Sequence, residues 1–134
     1  MIRVLVVDDE ASVLGLLKTV LESTSFEVHT AKSAAEAKSR LRTLSFDLIL
    51  TDMRMETPLA GYEVVRAAQQ IRPRPAIVIL TAFPIPSSDW RPSGADALLV
   101  KGADILNLPE KLQTLVKQRP RTQERVDPEE SKSA

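Results

Sequence analysis

Short runs of aliphatic residues constrain the fold of this chain more than any other feature. Four runs are rich in Val, Ile and Leu and cover Ile2–Val7, Leu48–Thr51, Ala76–Thr81 and Ala97–Val100. Because their apolar residues are continuous rather than alternating, they predict strands that are buried on both faces. A fifth segment, 26–31, alternates apolar and polar side chains and predicts a half-exposed edge strand with His29 on its surface.

The segments between the strands carry the spacing of amphipathic helices. Ser33 and Glu36 form a capping box for the second helix. A fourth helix must be short, because Pro84, Pro86 and Pro92 fall where it is expected and an interior proline costs about 3 kcal/mol. The residues predicted to face the core are Val13, Leu16, Leu17, Val20 and Leu21 in the first helix, Ala34, Ala37, Leu41 and Leu44 in the second, Val64, Val65, Ala68 and Ile71 in the third, and Leu108, Leu112, Leu115 and Val116 in the last.

The alternation of strands and helices predicts a doubly wound α/β fold. Crossovers between parallel strands are right-handed, so the expected architecture is a five-stranded parallel sheet with helices on both faces and a shortened or irregular fourth helix. Residues 1–118 are expected to form this one domain. Residues 119–134 are polar, have mixed charge and contain two prolines, which predicts a disordered tail or the start of a linker.

The composition excludes several functional classes. The 134 residues include 18 basic and 18 acidic ones, so the formal net charge is zero and direct binding to nucleic acid is not expected. The lack of cysteine rules out a disulfide scaffold, a thiolate zinc site and a cysteine nucleophile. The apolar runs are too short for a secretion signal or a membrane span. These features are typical of a cytoplasmic protein that does not engage membranes.

Polar side chains mark the ends of four predicted strands. Asp8 and Asp9 follow the first strand, Asp52 follows the third, Thr81 ends the fourth and Lys101 follows the fifth. Parallel strands all end at one edge of the sheet, and ligands of such folds bind there. Each residue alone could be an ordinary cap, loop or surface residue. Together they predict a functional site at that edge.

The charges of this group indicate which chemistry it can perform. Two carboxylates about 4 Å apart repel each other by roughly 4 kcal/mol at an effective dielectric constant of 20, and one lysine offsets only part of the repulsion among three. A site with oxygen ligands and neither histidine nor cysteine favours Mg²⁺. A Mg²⁺ site beside a lysine and a hydroxyl suits the handling of a phosphoryl group. The nucleophile would be a carboxylate, and the product an acyl phosphate.

Four segments together resemble the receiver domain of the two-component response regulators. They read VLVVDDE at 4–10, DLILTDMRM at 47–55, ILTAF at 79–83 and GADALLVK at 94–101. The resemblance covers roughly residues 2–118 and is specific because all four segments occur in this order and spacing. It implies a flavodoxin-like receiver fold, with the sheet order 2-1-3-4-5, in a single-domain member of the family.

The resemblance also implies a role for each matching residue at the phosphoryl group. Asp52 would be the phosphoacceptor, Thr81 would bind a phosphoryl oxygen and Lys101 would pair with the phosphoryl group. The donor would be a phosphohistidine on a sensor histidine kinase or a phosphotransfer protein. The chain would not be an enzyme, apart from assisting its own phosphoryl transfer and hydrolysis. It would signal in a phosphorelay by altered binding to a downstream protein.

A second implication of the resemblance is the set of Mg²⁺ ligands. Asp9 would bind the ion directly, and Asp8 would assist through water. Asp52 and the backbone carbonyl of Arg54 would complete the ligands that the protein provides. The strand order implied by the family puts these residues at the switch point between the first and third strands.

Four departures from the family pattern concern the loop after Asp52 and the switch face. Glu56 replaces a usual proline, and Gly61 comes one position late, which indicates a one-residue insertion. Leu98 occupies the position of the switch aromatic, Gly102 follows the lysine in place of proline, and the segment 81–94 is about two residues shorter than usual. The last three departures alter the face of helix four, strand five and helix five, which commonly carries output and homodimer formation in the family.

The sequence leaves two functions of different classes open. The first is a phosphoacceptor that switches between two states on phosphorylation. The alternative is a receiver-like interaction module that keeps the site but does not switch. An aspartate-based hydrolase is disfavoured because Arg54 stands where such enzymes have a second aspartate, and a flavodoxin-like phosphate loop is disfavoured by Asp8 and Asp9.

Overall fold

Strands and helices alternate along residues 1–118, the part of the chain that the computed structural model describes. The predicted tail, 119–134, lies outside the described residues. The strands are β1 (Ile2–Val7), β2 (Phe26–Ala31), β3 (Leu48–Thr51), β4 (Ala76–Thr81) and β5 (Ala97–Val100). The helices are α1 (Ala11–Glu22), α2 (Ala34–Thr43), α3 (Ala60–Gln69), α4 (Ser87–Trp90) and α5 (Leu108–Gln118), with a 3₁₀ turn at Arg91–Ser93.

The five strands form one parallel sheet in the order β2-β1-β3-β4-β5. The predicted fold class and strand order are confirmed, and all five strands have the predicted bounds. β1 pairs with both β2 and β3, so the strand order reverses between β1 and β3. This switch point is where doubly wound sheets bind ligands.

Both faces of the sheet are buried, which explains the unbroken aliphatic runs. Leu5, Ile49 and Ile77 face one core together with residues of α2 and α3. Their neighbours Val4 and Val78 face the other core, which α1 and α5 cover. Since successive side chains of a strand point to opposite faces, both sets must be apolar.

The buried face of the first helix overlaps the predicted one, with Leu17 and Leu21 in both sets and Leu14 in place of Leu16. Leu14, Leu17 and Leu21 are buried, whereas Leu16 is 52% exposed. Their spacing of three and four residues is as helical as the predicted set. The apolar residues of α1 extend around more than one face, so spacing alone did not select the buried one.

The second helix begins as predicted, with a variation in its cap. Ser33 Oγ accepts a hydrogen bond from Glu36 N at 3.0 Å. The Glu36 carboxylate reaches back to Lys32 N at 2.9 Å rather than to the amide of the capping residue. The cap therefore orders one residue more than a regular capping box does.

The fourth helix is short, as predicted. α4 has four residues and continues into the 3₁₀ turn, which ends at Gly94 with φ 98°. Trp90 is 7% exposed and packs into the core beside α3. In α5, by contrast, regular spacing buries Leu108, Leu112 and Val116. Among residues 1–118, no helix combines the length and apolar character needed to cross a membrane.

Candidate functional site

The sheet brings three of the predicted residues to one edge. Val7 lies opposite Thr51 in the register of β1 and β3, so Asp8 and Asp52 leave the sheet side by side. The amide of Asp52 donates to Val7 O at 2.8 Å, and that of Lys101 donates to Thr81 O at 2.8 Å. The backbone of each strand end is therefore bonded to its neighbour, and the position of the side chains follows from the register.

Lys101 bridges the two buried carboxylates. Its Nζ lies 2.7 Å from Asp8 Oδ2 and 3.2 Å from Asp52 Oδ2. The side chains of Asp8, Asp52 and Lys101 are 2%, 11% and 18% exposed. A lysine between two carboxylates offsets their repulsion, but one positive charge does not balance two negative charges.

The electrostatics of this triad raise the pKa of both Asp52 and Lys101. Burial raises the pKa of Asp52, and the charge of Asp8 raises it further, against the opposing effect of Lys101. Burial acts to lower the pKa of Lys101, but the hydrogen bond to Asp8 and the charges of both aspartates outweigh it, so this pKa is raised. Added positive charge at this site would favour the ionised form of Asp52.

Backbone amides orient both carboxylates. Glu10 N donates to Asp8 Oδ1 at 3.0 Å, and Met53 N donates to Asp52 Oδ1 at 2.7 Å. One oxygen of each carboxylate thus faces an amide and the other faces Lys101. The Oδ2 atoms of Asp8 and Asp52 share the space around the ammonium group.

The remaining acidic residues lie at the open side of the site. Carboxylate oxygens of Asp8, Asp9 and Glu10 lie within 4.8 Å of one another, with Asp9 and Glu10 exposed. Glu10 was not among the predicted cation ligands. Its position directly after Asp8 and Asp9 in the sequence could have identified it as a member of this acidic cluster. Arg54, the predicted carbonyl ligand, lies in the exposed part of the loop between β3 and α3. Oxygen-only donors with excess negative charge fit a hard divalent cation.

The hydroxyl of Thr81 is turned to its own loop. Thr81 is 3% exposed, and its Oγ1 accepts a hydrogen bond from Phe83 N at 3.4 Å. Beside it opens a cavity of about 660 Å³ whose lining includes Met53, Tyr62 and the 67% exposed Phe83. The structure thus brings together Asp8, Asp52 and Lys101, and it leaves Thr81 at the edge of this group.

Two contacts of the loop after Asp52 were missed by the sequence analysis. Glu56 accepts hydrogen bonds from the first two amides of α2. Desolvation acts to raise the pKa of its carboxyl, but these bonds, its own backbone amide and the charge of Lys38 outweigh it, so this pKa is lowered. Gly61 packs so closely that a Cβ there would lie 2.4 Å from Asp52 O. The spacing of Gly61 indicated an altered loop but not the partner of Glu56.

The switch face differs from the family pattern in the described structure as well. Leu98 is partly buried and packs against the core shared with α2 and α3. Gly102 has φ 91°, a conformation that favours glycine. The turn that follows is bonded through Asp104, which accepts from Val100 N at 2.6 Å and from Lys111 Nζ.

Comparisons with known families and proteins show what this sequence is similar to. The family model described as the response regulator receiver domain matches residues 4–115. The transcriptional regulatory protein ZraR of Salmonella typhimurium strain LT2 is 32% identical over 114 residues, which are 84% of this chain. The aligned part is 26% of ZraR, so the chain spans about a quarter of the length of this relative.

Solved structures show the same similarity. The response regulator protein TrrA from Thermotoga maritima, in complex with Mg²⁺ and BeF, superimposes with a TM-score of 0.76 at 33% identity, over 86% of this chain and 99% of TrrA. TrrA in complex with the histidine kinase ThkA gives a TM-score of 0.75 at 33% identity, over 86% of this chain and 98% of that one.

Proposed function

The chain belongs to the response regulator receiver domain family, and on that premise we propose that it accepts a phosphoryl group on Asp52 in a two-component phosphorelay. The observation that carries the proposal is the contact of Lys101 Nζ with both Asp8 and Asp52 at the switch point. A lysine held there by buried carboxylates is in place to pair with a phosphoryl group on Asp52. Receiver domains are signalling proteins, and we propose no catalysis beyond transfer to and from Asp52.

The donor set supports Mg²⁺ as the cofactor. Asp8, Asp9, Asp52 and the backbone carbonyl of Arg54 would hold the ion, with Glu10 close to the same cluster. All of these ligand atoms are oxygens, and the negative charge of the carboxylates exceeds the single positive charge of Lys101. Both features suit a Mg²⁺ site. When bound, the ion would neutralise negative charge on the phosphoryl oxygens. The TrrA structure with Mg²⁺ and BeF supports this proposal.

The residues of the chain supply the remaining parts of the transfer. An Oδ atom of Asp52 attacks the phosphorus of a phosphohistidine; the new O–P bond forms, the N–P bond breaks, and its electron pair returns to the imidazole. Lys101 offsets charge on the transferred group. Thr81 Oγ1, which accepts a hydrogen bond from Phe83 N, would donate its hydroxyl hydrogen to a phosphoryl oxygen, and this would connect the site to the loop before α4.

We propose two protein partners: one that donates the phosphoryl group and one that binds the domain downstream. A sensor histidine kinase or a phosphotransfer protein would present the phosphohistidine, and the complex of TrrA with the histidine kinase ThkA supports a partner of this kind. A cytoplasmic location is part of the same proposal. Phosphorylation would change the affinity for a downstream protein that recognises the surface of the domain.

Acetyl phosphate with Mg²⁺ tests the proposal without a partner. Intact-mass measurement is expected to show a gain of one phosphoryl group in the wild type, and none in Asp52→Asn or after chelation of the cation. A family member of known activity, treated in parallel, controls for the reagent. An unmodified wild type beside a modified control would contradict the proposal.

A second function, an interaction module that does not switch, is favoured by the shape of the switch face. α4 has four residues, Leu98 replaces an aromatic and Gly102 replaces proline. This function predicts that beryllofluoride with Mg²⁺ changes NMR shifts only near the acidic edge. A switching receiver predicts changes that spread through β5 and α5.

A further inference from the structure

The loop between β3 and α3 is bonded to a distant helix through one side chain. Glu56 Oε1 accepts from Ala34 N at 3.0 Å, and Glu56 Oε2 accepts from Ala35 N at 3.3 Å. These pairs are separated by 22 and 21 residues in the chain. Because each oxygen has its own donor, the contact defines both the distance and the orientation of the carboxylate.

The start of α2 provides a strong anchor for a carboxylate. The first amides of a helix have no acceptor within the helix, and the positive end of the helix dipole lies there. Ser33 Oγ already accepts from Glu36 N. Glu56 therefore completes the cap with the two amides that Ser33 leaves, and the loop gains an attachment that does not depend on its own backbone.

The other attachment of this loop lies beside Asp52, the proposed phosphoacceptor. Met53 N donates to Asp52 Oδ1 at 2.7 Å, and Gly61 N donates to Met53 O at 2.8 Å. Arg54 and Met55 are the only residues between this attachment and Glu56. A stretch this short between two anchors has little conformational freedom, so the position of its carbonyl groups depends on both anchors.

We infer that Glu56 is a positioning residue for the proposed cation site, and that its bonds to α2 hold the loop so that the backbone carbonyl of Arg54 lies beside Asp52. This inference rests on the proposed function. Residues that hold a metal ligand in position without binding the metal themselves typically contribute about 10–100-fold to metal affinity. Glu56 does so through the backbone, without touching the cation.

The test compares Mg²⁺ affinities, measured from the NMR shifts of the Asp52 and Met53 amides. Glu56→Ala removes both bonds to α2, and Glu56→Gln keeps one acceptor oxygen. Ser33→Ala is the matched control for helix stability, because it removes another cap bond of α2 without touching the loop. Glu36→Gln is the control for charge, because it removes one negative charge at the same helix start.

Glu56→Ala is expected to weaken Mg²⁺ binding by roughly tenfold, with Glu56→Gln between it and the wild type and both controls within about twofold of the wild type. An affinity of Glu56→Ala equal to that of the wild type would overturn the inference. A loss in Ser33→Ala or Glu36→Gln as large as that in Glu56→Ala would overturn it too, since helix stability or charge alone would then explain the effect. If the wild type binds no Mg²⁺, the proposed function fails together with the inference. In the two outcomes above, by contrast, the wild type binds Mg²⁺ and only the inference fails.

Discussion

At the scale of single residues, the site is a balance of charges around Lys101. Its ammonium group touches two carboxylates that are nearly removed from solvent. Loss of one partner from such a group leaves buried charge without compensation, which costs more than an exposed ion pair contributes.

Lys101→Met is expected to lower the free energy of unfolding by about 2 kcal/mol or more at neutral pH without Mg²⁺. Asp8 and Asp52 would then repel each other unopposed, and saturating Mg²⁺ is expected to restore part of the loss. Urea denaturation with and without the cation measures both effects. Lys111→Met is the control: its partner is Asp104, its side chain is 37% exposed, and the expected loss is about 1 kcal/mol or less. Equal losses in the two variants would contradict the burial argument.

Gly61 is a second residue whose role is defined by geometry. A Cβ at Gly61 would lie 2.4 Å from Asp52 O and 2.7 Å from Met53 Cα, and both contacts are with backbone. Gly61→Ala is therefore expected to destabilise the protein by about 2–3 kcal/mol and to shift the NMR signals of the loop after Asp52. Gly15, in α1, has no atom within 4 Å of the corresponding position. Gly15→Ala is expected to stabilise by about 0.5–1 kcal/mol, and a stabilised Gly61→Ala would contradict the packing shown here.

At the scale of elements, the strands were predictable and the loops were not. Continuous apolar runs predict strands of a sheet that helices cover on both faces, and they defined β1 and β3 to the residue. The face of α1 was not predictable from spacing, because Leu16 fits the helical period and yet remains exposed. The contact of Glu56 with α2 depends on the path of an irregular loop, which no local pattern encodes.

The turn between β5 and α5 provides a pH test of one such unpredicted contact. The hydrogen bond from Lys111 and that from Val100 N lower the pKa of Asp104 below its ordinary value of 3.8. A carboxyl with a lowered folded-state pKa stabilises the fold above its unfolded-state pKa, and this contribution is lost as the pH falls through the folded-state value. The stability difference between wild type and Asp104→Asn, measured by urea denaturation, should be largest near pH 6 and shrink towards pH 3. A difference that grows in acid would contradict the assignment.

At the scale of the whole molecule, the described residues 1–118 form two hydrophobic cores, one on each face of the sheet. α5 covers one face of the sheet up to Val116, and its last described residue is Gln118. The convergence of strand ends made the neighbourhood of Asp8, Asp52 and Lys101 predictable, because it follows from topology alone. The orientation of Thr81 towards Phe83 was not predictable, because it depends on the rotation of one side chain.

Removal of residues 119–134 tests the proposed domain boundary. A chain of residues 1–118 is expected to unfold with the same free energy as the full chain, within about 0.5 kcal/mol, because the proposed domain ends at residue 118 and the polar composition of 119–134 offers little apolar surface to bury. Urea denaturation of both chains measures this, and equal rates of modification by acetyl phosphate would support it. A loss of several kcal/mol would place the boundary beyond residue 118.

The most direct test of the central claim is to identify the modified residue chemically. Borohydride reduces an acyl phosphate of aspartate to homoserine, which peptide mass spectrometry locates. After treatment with acetyl phosphate and Mg²⁺, the tryptic peptide 43–54 is expected to carry homoserine at Asp52 and an unchanged Asp47. Homoserine at Asp8 or Asp9, or an unreduced peptide 43–54 from a protein that has gained a phosphoryl group, would contradict the assignment of Asp52 as the phosphoacceptor.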